Sequence, residues 1–435
     1  MIGGNRVRKS ILMLALLFLS AASIVASGGG GGDPATSVTI TSFSPAAGPV
    51  GDTVTITGTG FSTTPANNTV AFNGTAAVVT SCTSTGIVTT VPSGATTGPI
   101  TVTVGGHTAT STTAFTVTIP LAFGGYYSNA GVHVAAYWIG TTLVTLGPAG
   151  AQPSYAFSPA VVYNGTVYTA GYWNNGTADV ACYWAGTTRV DLPGDGDPTH
   201  NTEAFAVAVD GGTVYTVGQY YSASGWTPCY WTGTAKTDLL LPGGGTQGEA
   251  LTIAVIGGTV YTAGSYYNGT KRIPCYWTGT TETDLAGGPA NAEVFAVTVD
   301  SGVVYTAGYR SNGSTVPCYW TGTNRTDLAG DGTHNAYLTA ISVSNGTVYT
   351  AGAYNDGTKY IPCYWTGTVR TDLAGDGTHD AQAYTISVSN GTIYTAGGYN
   401  DGTKYIPCYW TGTTKTDLAG GTSDAEVISS LWWSW

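Results

Sequence analysis

The sequence predicts an all-β chain in which a β-sandwich is followed by a seven-bladed β-propeller closed by its C-terminal strand. Three observations lead there. Six near-copies of one segment, clearest in Tyr394 to Leu418, run from about residue 155 to the C-terminus, with a partial seventh before them. Each copy is too small to bury its own apolar face, so neighbours must stack. Each also carries four short strand signals in a period of about 45 residues, the signature of a propeller blade. Finally, no stretch of the mature chain has the 3.6-residue apolar period of an amphipathic helix.

At the N-terminus, Arg6, Arg8 and Lys9 form a basic region, Ile11 to Leu19 an apolar one, and Val25-Ala26-Ser27 a small-residue cleavage site. Residues 1–27 are therefore expected to be a secretory signal, and residues 28–36 a Gly-rich linker. The stretch resembles bacterial lipoprotein N-termini, but Ser27 stands where those carry the acylated Cys. The expectation is an exported chain, periplasmic, cell-surface or secreted, with no stable transmembrane segment once mature. Removing the signal leaves 10 basic against 24 acidic residues, a formal charge of −14. Such a chain repels phosphate backbones, so nucleic acid is excluded as a partner.

In residues 37–118, Val38-Thr-Ile and Thr53-Val-Thr-Ile-Thr alternate as half-buried strands do, and turn signals recur to Phe115. The run Ile40-Thr-Ser-Phe-Ser-Pro45 through Gly48, Gly51, Gly58 and Gly60-Phe61 resembles the opening of the IPT/TIG family. Val70-Ala-Phe-Asn-Gly, Val91-Pro92 and Gly98-Pro-Ile-Thr-Val-Thr-Val104 continue the likeness in order. The resemblance implies an immunoglobulin-like sandwich serving as a spacer or binding module, and implies no catalysis.

Residues 121–435 are assigned to the propeller. Tyr-Trp pairs place Trp at 138, 184, 231, 277, 320, 365 and 410, spaced by 46, 47, 46, 43, 45 and 45 residues. Within a unit the first strand is short and apolar, as a central strand should be. The fourth carries a charge at one aligned position, Arg189, Lys236, Glu282, Arg325, Arg370 and Lys415, as edge strands do against aggregation. The first unit begins at its second strand, Ala122-Phe-Gly-Gly-Tyr-Tyr. Residues 427–435 align with the missing strand and would complete that blade, closing the ring. Ile393-Tyr-Thr-Ala-Gly-Gly-Tyr resembles the kelch pattern, although the Trp after Tyr409 departs from its spacing. There is no WD dipeptide and no sialidase-type Asp box. In the first unit Leu143 and Val144 replace the outer-strand charge. An exposed apolar edge needs a cover, so a docked sandwich is expected there, held by a short linker around Thr118 to Pro120.

Cys182, Cys229, Cys275, Cys318, Cys363 and Cys408 share one blade position. Face-packed sheets stand about 10 Å apart, too far for a disulfide, so these are expected to be buried free thiols, with Cys82 alongside them. Asn-Gly-Thr at Asn164, Asn268, Asn345 and Asn390 reads first as a hairpin turn. The variable end of the ring gathers the 2–3 and 4–1 loops, with Asp195-Gly-Asp197, Asp331 to His334, Asn355 to Lys359, Asp376 to His379 and Asn400 to Lys404. These acids lack the spacing of a calcium loop, so polar turn chemistry explains them. No metal and no cofactor are expected.

Beside that end, two residues after the aligned strand-2 glycine, come Tyr126, Trp173, Tyr220, Tyr266, Arg310, Tyr354 and Tyr399. Flat amphipathic rings can stack on sugars or anchor a peptide, and can equally wedge neighbouring blades. The leading expectation is a non-catalytic binding or adhesion protein whose long-loop face takes a glycan or an extracellular protein. A carbohydrate-active hydrolase or lyase is the alternative. It lacks a Gly-x-Ser-x-Gly elbow, an Asp box and any carboxylate visibly breaking the repeat. A structural surface-layer component is the third reading.

Overall fold

A computed structural model describes residues 37–427 apart from short segments at 49–50, 93–94, 118–121, 148–151, 224, 242–246, 331, 390 and 421–423. The expected signal, the Gly-rich linker, the Thr118–Pro120 connection, Asn390 and residues 428–435 lie outside the described residues. No helix among the described residues is long and apolar enough to cross a membrane.

The first unit is a sandwich. Thr39–Ser44, Thr53–Thr59, Gly86–Thr90 and Val79–Cys82 make one sheet, and Ala47–Gly48, His107–Val117, Gly98–Val104, Asn68–Phe72 and Thr75–Ala77 the other. Alternation dictates the faces: along Thr53–Thr59 every second residue is buried. Val54, Ile56 and Ile87 therefore meet Val70, Phe72, Ile100, Val102 and Phe115 in one core.

Seven sheets follow among the described residues, numbered here as blades. Blade 1 holds Ala122–Asn129, Val132–Ile139 and Thr142–Thr145, with Ala425–Val427 as its inner strand. Blade 2 splits its inner strand into Ser154–Ala156 and Val161–Tyr163, and continues with Thr166–Asn174, Asp179–Ala185 and Thr188–Asp191. Blades 3 to 7 open on Thr202–Asp210, Gln247–Ile256, Ala292–Asp300, Ala336–Ser344 and Ala381–Ser389. Each blade packs on the next, and blade 7 packs on blade 1 through the C-terminal strand. The ring is closed. Tyr127 faces Ala425 and Gly125 faces Val427 in antiparallel register, while Phe123 of blade 1 stacks on Tyr409 of blade 7 at 5.7 Å.

Two repeat residues hold neighbouring blades together. The seven Trp are at most 1% exposed, and six donate their indole N–H to a main-chain carbonyl of the preceding blade. Trp231 reaches Pro193 at 3.0 Å, Trp410 reaches Ala374 at 2.9 Å, and Trp138 closes the ring on Ala419 at 2.6 Å. Trp184 is the exception, its N–H buried without a partner among the described residues. Beside each Trp but the first stands a buried free Cys, whereas Cys82 is only half-buried. Burial first, and the outer-strand carboxylates second, drive these six thiols up, which keeps them un-ionised and inert.

The strand-2 glycine has a steric origin. A Cβ on Gly125, Gly171, Gly218, Gly264, Gly308, Gly352 or Gly397 would lie 1.8–2.0 Å from a carbonyl oxygen of the inner strand. In five of the blades that strand also bulges. In blades 3 to 7 the register slips at Phe205, Leu251, Phe295, Thr339 and Tyr384, and a bulge re-aims the side chain it frees.

Three expectations are corrected. Leu143 is not covered by the sandwich but packs with Phe123, Trp138 and Leu418 between blades 1 and 7, while Val144 packs between blades 1 and 2. Asn164 and Asn345 do adopt positive φ in 1–2 turns, but Asn268 sits in a 2–3 loop, where its Oδ1 accepts from the backbone of Thr270 and Lys271. The outer-strand cations do more than guard an edge. Lys236 and Lys415 sit 3.3 and 3.6 Å above the rings of Tyr220 and Tyr399, and Arg189 and Arg370 each 3.8 Å above Trp173 and Tyr354.

Gly264→Ala should destabilise the protein by about 3 kcal/mol or more, because the new methyl must displace the backbone of Glu249; urea unfolding measures it. Deleting residues 425–435 should lower the thermal midpoint sharply, since it unpairs the edge of blade 1 and exposes Phe123 and Leu418. A midpoint equal to that of the full chain would show that the ring does not depend on this strand.

Candidate functional site

Six of the seven residues expected at the ligand face are occupied within their own blades. Trp173 donates its Nε1–H to Asp191 at 3.1 Å, and the hydroxyls of Tyr220, Tyr266, Tyr354 and Tyr399 donate to Asp238, Asp284, Asp372 and Asp417 at 3.0–3.1 Å. Arg310 grips Asp327 at 2.8 and 2.9 Å. These side chains lie across the face that packs on the preceding blade, wedged beside the buried Cys and Trp. The structure brings them into a packing ring, not around a common opening.

Tyr126 does not belong to that set. Trp138 pairs with Phe123 as Trp231 pairs with Thr216, so the equivalent of Tyr220 is Tyr127. A one-residue slip moves a side chain to the opposite face of a strand. Tyr126 accordingly faces the axis of the ring, where its hydroxyl donates to Glu426 at 2.9 Å.

That face carries a second ring. One residue before the buried inner-strand Ala, Val or Leu stand Tyr155, Glu203, Glu249, Glu293, Tyr337, Gln382 and Glu426, opposite Tyr172, Gln219, Ser265, Tyr309, Ala353, Gly398 and Tyr126 on strand 2. The expectation that no carboxylate breaks the repeat is thereby corrected: four of the seven aligned positions are Glu, and three are not. The signal was present as Glu203-Ala-Phe, Glu249-Ala-Leu, Glu293-Val-Phe and Glu426-Val. It was hidden because these residues precede the apolar run taken as the first strand.

Their position follows from chain direction. The inner strand enters from the 4–1 loop, so this ring lies at the long-loop end of the central channel. Two residues further in, the bulged Phe205, Leu251 and Phe295 cluster with Tyr337 across four consecutive blades. Beyond this plug, towards the tight turns, an apolar cavity of about 220 Å³ is lined by Val207, Ile253, Val297, Ile341 and Ile386.

At the mouth, Gln219 donates to Glu203 at 2.9 Å, while Arg272 reaches Glu249 at 3.2 Å, Glu293 at 3.4 Å and Ser265 at 3.3 Å. Tyr337 and Tyr384 both donate to Gln382 Oε1, at 2.7 and 3.1 Å, and Tyr384 lies 3.4 Å from Glu426. The side of blades 1 and 2 is aromatic. Tyr155 stacks on Phe157 at 5.5 Å and meets Tyr126 edge-on at 5.4 Å, with His133 Nδ1 2.6 Å from its hydroxyl.

Burial governs the electrostatics. It pushes Glu203 up to about 7, helped by Asp179 and Glu249 and opposed by the Gln219 amide. It pushes Glu426 to about 7 as well, against the hydrogen bonds of Tyr126 and Tyr384 and with Asp424 adding repulsion. Glu293 is raised by burial and partly held back by Arg272. Burial lowers His133, against the pull of Asp424. Away from the axis, the loop acids cap their own turns: Asp356 and Asp401 accept from the backbone two and three residues on, and Asp195 pairs with His200 at 2.7 Å. Among the described residues no group of three His, Cys, Asp or Glu is arranged to hold a metal ion.

A carboxyl raised on folding keeps its proton in the native state when the unfolded chain has already lost it. Its contribution is fully present below the unfolded value of 4.5 and is lost as pH rises to about 7. Stability should therefore decline across that interval, by on the order of 3 kcal/mol for each of Glu203 and Glu426. Glu426→Gln should flatten the decline in urea unfolding followed against pH.

The IPT/TIG domain model matches residues 38–119. No curated protein sequence matches the chain. Among solved structures, a structural-genomics protein of unknown function from Bacteroides thetaiotaomicron aligns with TM-score 0.43 and 15% identity, over 83% of this chain and 96% of that one. An auxiliary nutrient binding protein from the same organism aligns with TM-score 0.33 and 12% identity, again over 83% and 96%. A quinonprotein alcohol dehydrogenase-like protein, also from that organism, aligns with TM-score 0.37 and 10% identity over 91% and 99%. Scores below 0.5 carry no argument about ligand or activity, and the ring rests on its own strand pairing. The first unit is an IPT/TIG domain, an immunoglobulin-like sandwich placed ahead of a β-propeller-like ring.

Proposed function

We propose that this is an exported, non-catalytic binding protein, at the cell surface or beyond it, whose ligand is a glycan held at the long-loop mouth of the central channel. One observation carries the reading: the repeat is broken at the axis, where four blades place Glu and the others Tyr or Gln at one inner-strand position. Buried carboxylates oppose stability, and residues that break a repeat at such a cost mark functional positions. Carboxylates that accept hydroxyl donors, facing an aromatic wall of Tyr126, Tyr155 and Phe157, suit a polyhydroxylated ring that is polar at its edges and apolar on its faces. The negatively charged IPT/TIG–ring chain then acts as a holder, with the sandwich as spacer.

A glycan array followed by calorimetry with the full mature chain tests this. Ligands should lose about tenfold or more in affinity on Glu249→Ala or Tyr155→Ala, and keep it on Asp356→Ala in a peripheral loop. Loss confined to the peripheral variant would remove the mouth from the reading. Release of reducing ends from a bound oligosaccharide would replace binding with hydrolysis or lyase chemistry, and ordered self-assembly without ligand would favour a surface layer.

A further inference from the structure

Resting on the mouth as the binding site, we propose that the glycan it takes carries free amino groups, bound as ammonium ions between the carboxylates of blades 3 to 5 and the aromatic wall of blades 1 and 2. Two independent features point there beyond the presence of acids. Gln219, 9% exposed, keeps its buried Oε1 without a donor, and Glu293, 5% exposed, keeps one buried oxygen, Oε2, likewise, while the Tyr309 hydroxyl serves the Glu293 carboxylate from the facing strand. The Gln219 amide nitrogen is already committed to Glu203, so its oxygen is left over. Buried acceptors are normally satisfied, and these two belong to blades 3 and 5, Gln219 on strand 2 opposite Glu203 and Glu293 on the inner strand, with Glu249 on the blade between them. A ligand that inserts N–H donors meets both.

The second feature is charge. Around the mouth stand Glu203, Glu249, Glu293 and Glu426, with Asp179 and Asp424 close behind, and Arg272 is the cation that reaches them. Arg272 is divided between Glu249 and Glu293, which leaves Glu203 and Glu426 without a cationic partner in the described structure. Elsewhere in the molecule the chain answers this need itself: in blades 2, 3, 5, 6 and 7 an outer-strand Lys or Arg lies within 3.4 Å of its own Asp. At the axis Arg272 does this for Glu249 and Glu293, and among the described residues no Lys or Arg does it for Glu203 or Glu426. A neutral sugar satisfies the acceptors but leaves Glu203 and Glu426 held towards their protonated form by burial, whereas an ammonium group pairs with them as they ionise and so does both. Each N–H donated to an ionised carboxylate is also stronger than a neutral hydrogen bond. The half-buried Tyr126 and Tyr155 place aromatic rings beside the same mouth, where a cation is favoured over a neutral group.

The probes are three matched hexamers of one linkage: chitosan hexaose with free amines, chitin hexaose with acetylated ones, and cellohexaose with hydroxyls. Calorimetry on the full mature chain at about pH 6 and low salt should give chitosan hexaose at least about tenfold tighter than either of the others. Affinity should fall with added salt, and fall about tenfold on Glu249→Gln, a half-exposed site where the fold is not at risk. Glu282→Gln, on the outer strand of blade 4, should bind as the parent does. Equal binding of chitin hexaose or cellohexaose with a Glu249→Gln loss overturns the ammonium and leaves the mouth in place. Tighter binding of a hexalysine peptide than of chitosan hexaose overturns the sugar. No response to any of these probes or to the glycan array overturns the mouth itself.

Discussion

The contact on which the ring depends is the one between a strand-2 glycine and the carbonyl of the inner strand. Glycine lets the two backbones approach to a distance that any Cβ would forbid, and only at that distance can the inner strand bulge. The bulge turns Phe205, Leu251, Phe295 and Tyr384 towards the axis and plugs the channel. It also leaves the residue two places earlier at the rim of the plug, which is where Glu203, Glu249, Glu293 and Gln382 stand. Site and scaffold therefore share one cause. A glycine that reads as a turn or spacing signal in the repeat is what sets a carboxylate at the mouth.

Between blades, stability is carried by residues that give nothing to a ligand. The buried Trp crosses to the carbonyl of the preceding blade, the small Cys fills the space beside it, and Leu192, Leu239, Leu285, Leu328, Leu373 and Leu418 complete the contact. The outer aromatic rings are clamped from above by Lys or Arg and at the tip by Asp. This division leaves the axis free to vary. In a ring whose interfaces repeat, the inner position alone moves among Tyr, Glu and Gln without disturbing the packing.

That freedom has an energetic sign. Carboxylates buried at the mouth are held up towards neutrality and oppose folding as they ionise, while the exposed loop acids are held down by the turns they cap, as Asp356 is to about 2. The interior therefore favours protonation, and a cation arriving at the mouth relieves the same strain that rising pH creates. Closure of the ring by Ala425–Val427 places Glu426 in this circuit, so the strand that completes the fold also supplies one wall of the site.

The sequence by itself determined the class of both units, the count of seven landmarks, the unpaired cysteines and the use of a C-terminal strand to finish the first blade. These are properties of period and alternation, and each is local or strictly repeated: Thr53–Thr59 alternates, the Trp recur, and the first unit visibly lacks a strand. The tertiary structure decided where the chemistry sits. Tyr220 and Tyr399 looked like ligand platforms because a strand shows two faces and the sequence does not say which one a neighbouring blade covers. Tyr126 was grouped with them because Gly124-Gly125 allows two registers, and one residue separates the interface from the axis. Glu203, Glu249, Glu293 and Glu426 went unread as a set because they stand up to about 220 residues apart and become neighbours only when the ring closes. Burial, register and closure are relations among blades, and no single repeat contains them.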